Sequence, residues 1–441
     1  MEEDPEILLT KSKILQKESV QKQFEKLKHA IEVAEDRIDY ESAHDPEILF
    51  ALKIIRSFLV KRERVCYGGT AINALLPKSL QFYDTEKSLP DYDFFTPSMD
   101  KDIDEIVKAL EKAGFTEVNE RIGIHKGTKK IMVNFVPIAD ITELGKDLYT
   151  VIHRRSVNKE GIHYCDADFL RMMMYLELSR PKGQVSRWEK VYERLTLLNS
   201  MFPMKECHIK GKSSRISPVV KALILEHIIT NKRILMGAEI TAIYNKALHV
   251  KKYRAPPIQW FLKHGLLVFY SPDILIDSME LREKLDKYEV KIETLRGFTD
   301  FIPDRILLYV SNKPVALLVQ EVACNSYNTI PLNNHKNILI GSLDSMITLY
   351  FLLHIFTREN HILGYSMLCL CQKLIELNAI LKKREDDSPF PAFSIECSGY
   401  QKGFSTLLRE KAKRIEKEKA KKTRKNTKDH HRKTRKNKNI H

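Results

Sequence analysis

Tyr67-Gly68-Gly69-Thr70-Ala71-Ile72-Asn73-Ala74-Leu75 and, after a loop, Pro90-Asp91-Tyr92-Asp93-Phe94-Phe95 decide the reading of this chain. An extended run sends alternate side chains to one face, so Asp91 and Asp93 project the same way, about 6.6 Å apart, while Tyr92 points away. Two carboxylates so placed can share divalent cations. A pair of such ions stabilises both the attacking and the leaving oxygen of a phosphoryl-type transfer. Hard oxygen ligands favour magnesium or manganese. The two glycines supply the complement, because backbone without Cβ atoms can bring its N–H groups close to phosphate oxygens.

Neither half is specific alone. Asp-x-Asp also occurs at Asp100/Asp102, Asp102/Asp104 and Asp166/Asp168, all at expected helix starts, where acidic side chains favour the positive end of the dipole. Only Asp91/Asp93 lies in an apolar, aromatic extended run. A lone Gly-Gly is more often a turn than a phosphate cradle. Here it follows a helical stretch and opens the short pattern Ala71, Ile72, Leu75, Leu76, 22 residues (91 − 69) before the first aspartate.

On these residues the chain resembles the DNA polymerase beta superfamily of nucleotidyltransferases. The fuller wording, Tyr-Gly-Gly-Thr-Ala-Ile-Asn-Ala-Leu with Asp-Tyr-Asp-Phe-Phe, is similar to the poly(A) polymerase catalytic subunit of nucleocytoplasmic large DNA viruses, the group of poxviruses, asfarviruses and giant viruses. The likeness is strongest from Tyr67 to Leu195. It implies an α+β fold: a nucleotidyltransferase palm, a mixed sheet backed by helices, followed by a second, catalytically dead nucleotidyltransferase-like domain. It implies template-independent transfer of AMP from ATP to an RNA 3′ end with two Mg2+ or Mn2+ ions. Gly68, Gly69 and Thr70 would hold the triphosphate, and Asp91 and Asp93 both metals.

A third carboxylate is expected on a neighbouring strand. Asp140 and Glu143, in Ile138-Ala139-Asp140-Ile141-Thr142-Glu143, are the candidates. Asp140 is preferred because small or apolar residues flank it on both sides, as they rarely flank an unpaired surface aspartate. An aspartate capping a turn is the plain alternative, with Glu143 the fallback ligand. Further on, Ser186-Arg187-Trp188-Glu189 reads as a capping box opening a helix, with Arg187, Lys190 and Arg194 on one basic face. The resemblance implies nucleotide contact by Arg187 and Lys190; a solvated basic face is the alternative.

The order of elements expected around this core is simple. A charged helical rhythm covers about Lys13–Arg37, and Asp45 with Pro46 opens a second helix burying Leu49, Leu52, Ile55, Phe58 and Leu59. A helix from about Met99 to Ala113 is stopped by Gly114. Strands follow at Phe115–Ile124 and Lys130–Ile138. A further helix runs from Ala167 to Leu178 under an Asp166 cap. After a polar linker at 205–217 the chain echoes itself: Leu235-Met236-Gly237-Ala238 matches the run at Cys66, and Phe269-Tyr270-Ser271-Pro272 matches Phe94-Phe95-Thr96-Pro97. The offsets are 169 (237 − 68) and 175 (269 − 94). Leu266 and Val268 stand where the aspartates would be, so the second copy loses the metals. Strands near 305–310 and 315–322 and helices at 344–356 and 367–381 complete it, and 389–401 reads as an aromatic loop.

The expected domains are therefore 1–62 helical, 63–204 catalytic, 205–405 degenerate and 406–441 a basic, disordered tail. From Arg409 onward 16 Lys/Arg stand against 4 Asp/Glu, so +12 of the formal +15 lies in that tail. Such a segment attracts a polyanion with steep salt dependence. Seven scattered cysteines without paired metal spacing suggest reduced thiols in a cytosol-like compartment. No signal-peptide pattern is read at Met1, and the most apolar run, Met346–Phe356, is too short to span a membrane. Host cytoplasm, at the viral factory, and the virion are the expected locations. The expected partners are ATP and an RNA 3′ end, with a homodimer or a cap-modifying processivity partner as possibilities the resemblance implies. CCA addition, uridylation or oligonucleotide synthesis by the same palm, and a non-catalytic RNA scaffold with a relic palm, remain alternatives.

Overall fold

The computed structural model describes residues 13, 18–83, 89, 91–204, 207, 216–250, 254–262, 265–297, 302–332, 336–356, 367–384 and 388–420. Most of the expected 205–217 linker and the end of the basic tail lie outside these residues. The chain divides into two compact units. The first comprises residues 1–123, 127–144 and 158–164, the second 124–126, 145–157 and 165–441.

The first unit opens with α1 (Glu18–Ala43), which leaves Phe24, Leu27, Ile31 and Ile38 exposed. In α2 (Pro46–Arg62) the Asp45 carboxylate accepts from the Glu47 and Ile48 N–H groups, and Pro46 occupies the first turn, as the sequence predicts. Its face of Ile48, Ala51, Leu52, Ile55, Phe58 and Leu59 is buried; Leu49, expected there, is 38% exposed. Then follow β1 (Val65–Cys66), α3 (Gly68–Leu75), β2 (Tyr92–Thr96), α4 (Met99–Lys112), β3 (Val118–Ile122), β4 (Thr128–Val133), β5 (Val136–Glu143), β6 (Val157–Lys159) and β7 (Ile162–Tyr164). They form a seven-stranded mixed sheet in the order β3-β4-β5-β2-β1-β7-β6.

One expectation is corrected here. The single strand read over 130–138 is two, folded back at Asn134-Phe135, whose φ angles are 48° and 67°. Two consecutive left-handed residues make the two-residue turn that matches strand twist. The turn matters for the site, because it carries β5 back alongside β2 in parallel register, with Asp93 opposite Asp140.

The second unit contains α5 (Lys146–Arg155), α6 (Ala167–Leu178), α7 (Trp188–Met201) and α8 (Pro218–Thr230). Next come β8 (Ile234–Met236), α9 (Ala238–Leu248), β9 (Leu267–Ser271), α10 (Ile274–Lys284), β10 (Val290–Leu295), β11 (Arg305–Val310), β12 (Lys313–Gln320), β13 (Asn325–Pro331) and β14 (Asn337–Gly341). It closes with α11 (Leu343–Phe356), α12 (Met367–Lys383), β15 (Cys397–Ser398) and a helical stretch at 404–420. The sheet order is β10-β11-β12-β9-β8-β14-β13-β15. Strand for strand, its first seven positions repeat the first sheet, with the same parallel and antiparallel pairs.

The repetition reaches single residues. Cys66 pairs with Phe94, and Leu235 with Phe269. The register slips between Ile131 and Met132 in one copy and between Leu308 and Tyr309 in the other, each time ahead of a proline, Pro137 or Pro314. Arg64 grips Asp102 with two bonds, 2.7 and 2.9 Å, and Arg233 grips Asp277 at 2.8 and 2.9 Å. Leaving either buried carboxylate unpaired would cost about 3–5 kcal/mol, which explains why the pair survives in both copies. By this register Asp91, Asp93 and Asp140 correspond to Leu266, Val268 and Leu317, all buried.

Two further expectations fail. Cys207 is bonded to Cys369 and Cys324 to Cys397, while only Cys66, Cys165 and Cys371 are free. The partners lie 162 and 73 residues apart, so their spacing carried no trace of the pairing. The Ser186 capping box also does not form: Val185–Arg187 is a 3-10 turn, and α7 starts at Trp188 without a side-chain cap. The Asp166 cap on α6 does form, its carboxylate accepting from the Phe169 N–H. Among the described residues no helix is long and apolar enough to cross a membrane.

Candidate active site

The site lies where β2 and β5 run side by side in the first unit. Asp93 and Asp140 are register partners, and Asp91 immediately precedes β2. Carboxylate oxygens of Asp91, Asp93 and Asp140, one from each, all lie within 4.8 Å of one another. Glu143, the fallback, instead accepts a bond from the Met99 N–H at the start of α4.

The Gly-Gly pair fits this cluster from below. Gly68 has φ +72°, and a Cβ there would lie 2.5 Å from Asp93 Oδ2. Glycine is required twice over at that position, for the backbone angle and for the approach of the carboxylate. Tyr67 caps α3 in extended conformation with no side-chain bond to the first turn, which leaves helix N–H groups for an anion. The Thr70 hydroxyl, expected on the triphosphate, donates to the Asp91 backbone carbonyl at 2.7 Å and so fixes the aspartate run onto the helix.

Electrostatics agree with a cation site. Burial raises the Asp91 carboxyl, the negative charge of Asp140 raises it further, and Lys130 opposes both. Three carboxylates held this closely repel one another, and a divalent cation relieves the strain. The donor set is all oxygen, the hard set suited to Mg2+ or Mn2+. Lys130 Nζ already sits on Asp140, 2.7 and 2.6 Å from its two oxygens. The sequence reading makes Lys130 the first residue of an unbroken strand over 130–138, and without the fold-back nothing brings it to Asp140.

A second group able to offer metal-ligand atoms, His227, Asp277 and Glu280, is built differently. Asp277 is already doubly bonded to Arg233, and His227 Nε2 lies 3.2 Å from it. That network is an internal ion cluster.

Arg187 and Lys190 belong to the second unit. Arg187 is paired with Glu177 at 3.2 Å. Burial, Arg194 and Arg187 lower the Lys190 pKa, so positive charge is crowded on this face of α7.

A mixed sheet with paired glycines opening a helix, and three carboxylates on and beside the adjoining strands, is the arrangement that the resemblance implies for a nucleotidyltransferase palm, and the second sheet repeats it without the acids. Residues 53–184 match the model of the family described as Poly(A) polymerase catalytic subunit, the family that the motifs resemble. A putative poly(A) polymerase catalytic subunit of African swine fever virus (isolate Pig/Kenya/KEN-50/1950) is 27% identical over 176 residues, covering 38% of this chain and 36% of the relative. Its counterpart in Acanthamoeba polyphaga mimivirus is 30% identical over 162 residues, covering 35% of this chain and 27% of the relative. The chain therefore spans about a third of the length of these curated relatives. The crystal structure of the Megavirus polyadenylate synthase superposes with a TM-score of 0.71 at 18% identity, over 92% of this chain and 84% of that one, which shows a shared fold.

Proposed function

We propose that the protein is a template-independent polynucleotide adenylyltransferase that extends RNA 3′ ends with AMP from ATP. The observation that carries this is the convergence of Asp91, Asp93 and Asp140 beside the N-terminus of α3. The names of the viral relatives supply the nucleotide and the acceptor.

In this reading the RNA 3′-hydroxyl oxygen attacks the α-phosphorus of ATP, the bond to the β-phosphate oxygen breaks, and pyrophosphate leaves. Asp140 is the candidate to take the hydroxyl proton. Asp91, Asp93 and Asp140 would hold two Mg2+ or Mn2+ ions, which when bound neutralise charge on the reacting oxygens. Gly68 and Gly69 admit the triphosphate to the start of α3, and Thr70 keeps the Asp91 backbone in place. Arg187 and Lys190 are proposed triphosphate contacts, since a polyanion would relieve the crowding on α7. Most of the acceleration then comes from positioning and charge stabilisation. Domain limits of 63–204 for the catalytic part and 205–405 for the degenerate copy belong to the same proposal. So do action in the host cytoplasm and virion, and processivity through a homodimer or a cap-modifying partner.

The test is primer extension by the purified chain with each NTP separately and Mg2+ or Mn2+, comparing wild type with Asp93→Ala. ATP-specific tailing that disappears in a variant of unchanged melting temperature is the expected result. Full tailing by Asp93→Ala would sink the assignment. Extension with CTP or UTP instead of ATP would make the chain a different nucleotidyltransferase. Binding of RNA without any metal-dependent turnover would favour the scaffold alternative.

A further inference from the structure

The second copy of the sheet works as an internal control on which polar groups the fold needs. The Arg64–Asp102 pair reappears as Arg233–Asp277, and Thr96, whose hydroxyl donates to Asp102, reappears as Ser271. The Ser98 N–H donates to the Thr96 hydroxyl, and the Asp273 N–H donates to the Ser271 hydroxyl. Glu143, which accepts from the first N–H of α4, reappears as Gln320, which accepts from the first N–H of α10. These groups hold strands to helices, and both copies keep them.

Lys130 behaves in the opposite way. It is the register partner of Asp140 on β4, and the equivalent pair in the second copy is Leu307 with Leu317. All four polar side chains, Asp91, Asp93, Asp140 and Lys130, become Leu266, Val268, Leu317 and Leu307, and all four replacements are buried. Lys129 beside it also becomes a buried aliphatic residue, Ile306, so the loss alone does not single out Lys130. Its position says what it does there. Asp93, Asp140 and Lys130 lie on one row across β2, β5 and β4, and the ammonium straddles both oxygens of Asp140. An ammonium this close to both oxygens repels a divalent cation approaching the same carboxylate.

We propose that Lys130 is a tethered cation that occupies the divalent-ion position on Asp140 in the metal-free protein, keeps the three carboxylates assembled, and is displaced when the ion enters. Lys130 is thus a positioning residue that tunes metal affinity. The inference rests on the cluster being a metal site, and the test separates the two claims.

The experiment is titration of the full chain with Mn2+ alone, read by electron paramagnetic resonance of the free ion, for wild type, Lys130→Met, Lys130→Arg and Asp93→Ala. Melting curves in EDTA run alongside. Lys130→Met should bind Mn2+ about tenfold or more tightly than wild type, because the competing charge is gone, while melting at a lower temperature in EDTA. Lys130→Arg should stay near wild type. A lysine with a merely structural role would lower the melting temperature and leave Mn2+ binding unchanged or weaker, and that result overturns the inference. Wild-type Mn2+ binding that persists undiminished in Asp93→Ala overturns the metal site itself, and the inference with it.

Discussion

Replacing Gly68 by alanine puts a methyl group where the structure has no room for one, and the cost can be worked out in two parts. The first is backbone strain: at φ +72° an L side chain costs about 1–2 kcal/mol, partly offset by the lower unfolded-state entropy of alanine, about 0.4–1 kcal/mol. The second is the clash. The new Cβ would sit 2.5 Å from Asp93 Oδ2, against 3.4 Å for an ordinary contact, so the carboxylate must retreat by 0.9 Å (3.4 − 2.5). Stability should fall by only about 1 kcal/mol, a shift of roughly 2–4 °C for a unit of this size. Activity should fall far more, because a displacement near 1 Å costs about 10²-fold, or roughly 2.7 kcal/mol of barrier. Gly237→Ala is the matched control. Its φ of +110° with ψ −168° carries at least as much backbone strain, but the nearest atom to its Cβ is the Tyr350 hydroxyl at 3.5 Å. Both variants are to be melted by circular dichroism and assayed by ATP-dependent primer extension. A loss of stability in Gly237→Ala at least as large as in Gly68→Ala, with activity lost only in Gly68→Ala, is the expected outcome. Activity of Gly68→Ala within threefold of wild type would refute the claim that this glycine sets the Asp93 position.

Other expectations follow from the same structure. Burial pushes the Asp277 carboxyl up, but bonds from His227, Arg233 and Ser271 outweigh it and bring the pKa down to about 2. A depressed carboxylate contributes stability above its unfolded value and loses it as pH falls through the folded one, so the second unit should weaken between about pH 4 and pH 2; Asp277→Asn should lose about 3–5 kcal/mol at neutral pH and flatten that acid limb in a urea melt. Glu239 runs the other way, since burial lifts it to about 7 against the pull of Lys221. Its contribution is present at acid pH and lost as pH rises through 7, so Glu239→Gln should melt with less dependence on pH between 5 and 8 than wild type. Opening the 73-residue loop with Cys324→Ser should cost about 4 kcal/mol or somewhat less in an oxidised melt, and dithiothreitol should abolish the difference. Phe135, 67% exposed at φ 67°, gives the converse case: Phe135→Gly creates the favoured Asn-Gly turn and should stabilise by about 0.5–1 kcal/mol in the same assay, despite the loss of a large side chain.

What could be read in the sequence depended on whether the decisive physics was local. The Asp45-Pro46 helix start, the Asp166 cap and the alternation of Asp91 with Tyr92 act within one turn or one strand, and they stand as read. The fold-back at Asn134-Phe135 escaped because a bulky apolar residue holds a position where glycine usually signals the turn. The disulfides escaped because they are set by how distant segments meet, and the Lys130–Asp140 contact because it depends on that same fold-back. Asp140 itself was chosen on its apolar flanks, a weak signal, and the structure gives a stronger physical basis: β5 returns beside β2 with Asp140 facing Asp93.

The duplicated sheet supplies what one sequence ordinarily lacks, a comparison. The two halves share little wording beyond a glycine, a helix and a strand that ends in Thr-Pro or Ser-Pro, yet they agree in strand order, in the site of the bulge and in the buried Arg–Asp clasp. Agreement at those points means that the clasp and the bulge serve the sheet whatever chemistry it carries. At the centre Asp91, Asp93, Asp140 and Lys130 stand against four aliphatic side chains, and beside them Lys129 and Thr142 stand against Ile306 and Val319. Leucine and valine in those places bury well and stabilise the second copy, so the first copy carries four charges there at a cost to its own stability. A sheet that closes in the same order without these charges does not need them for folding, and a cation shared among carboxylates beside a helix N-terminus is the use their geometry allows.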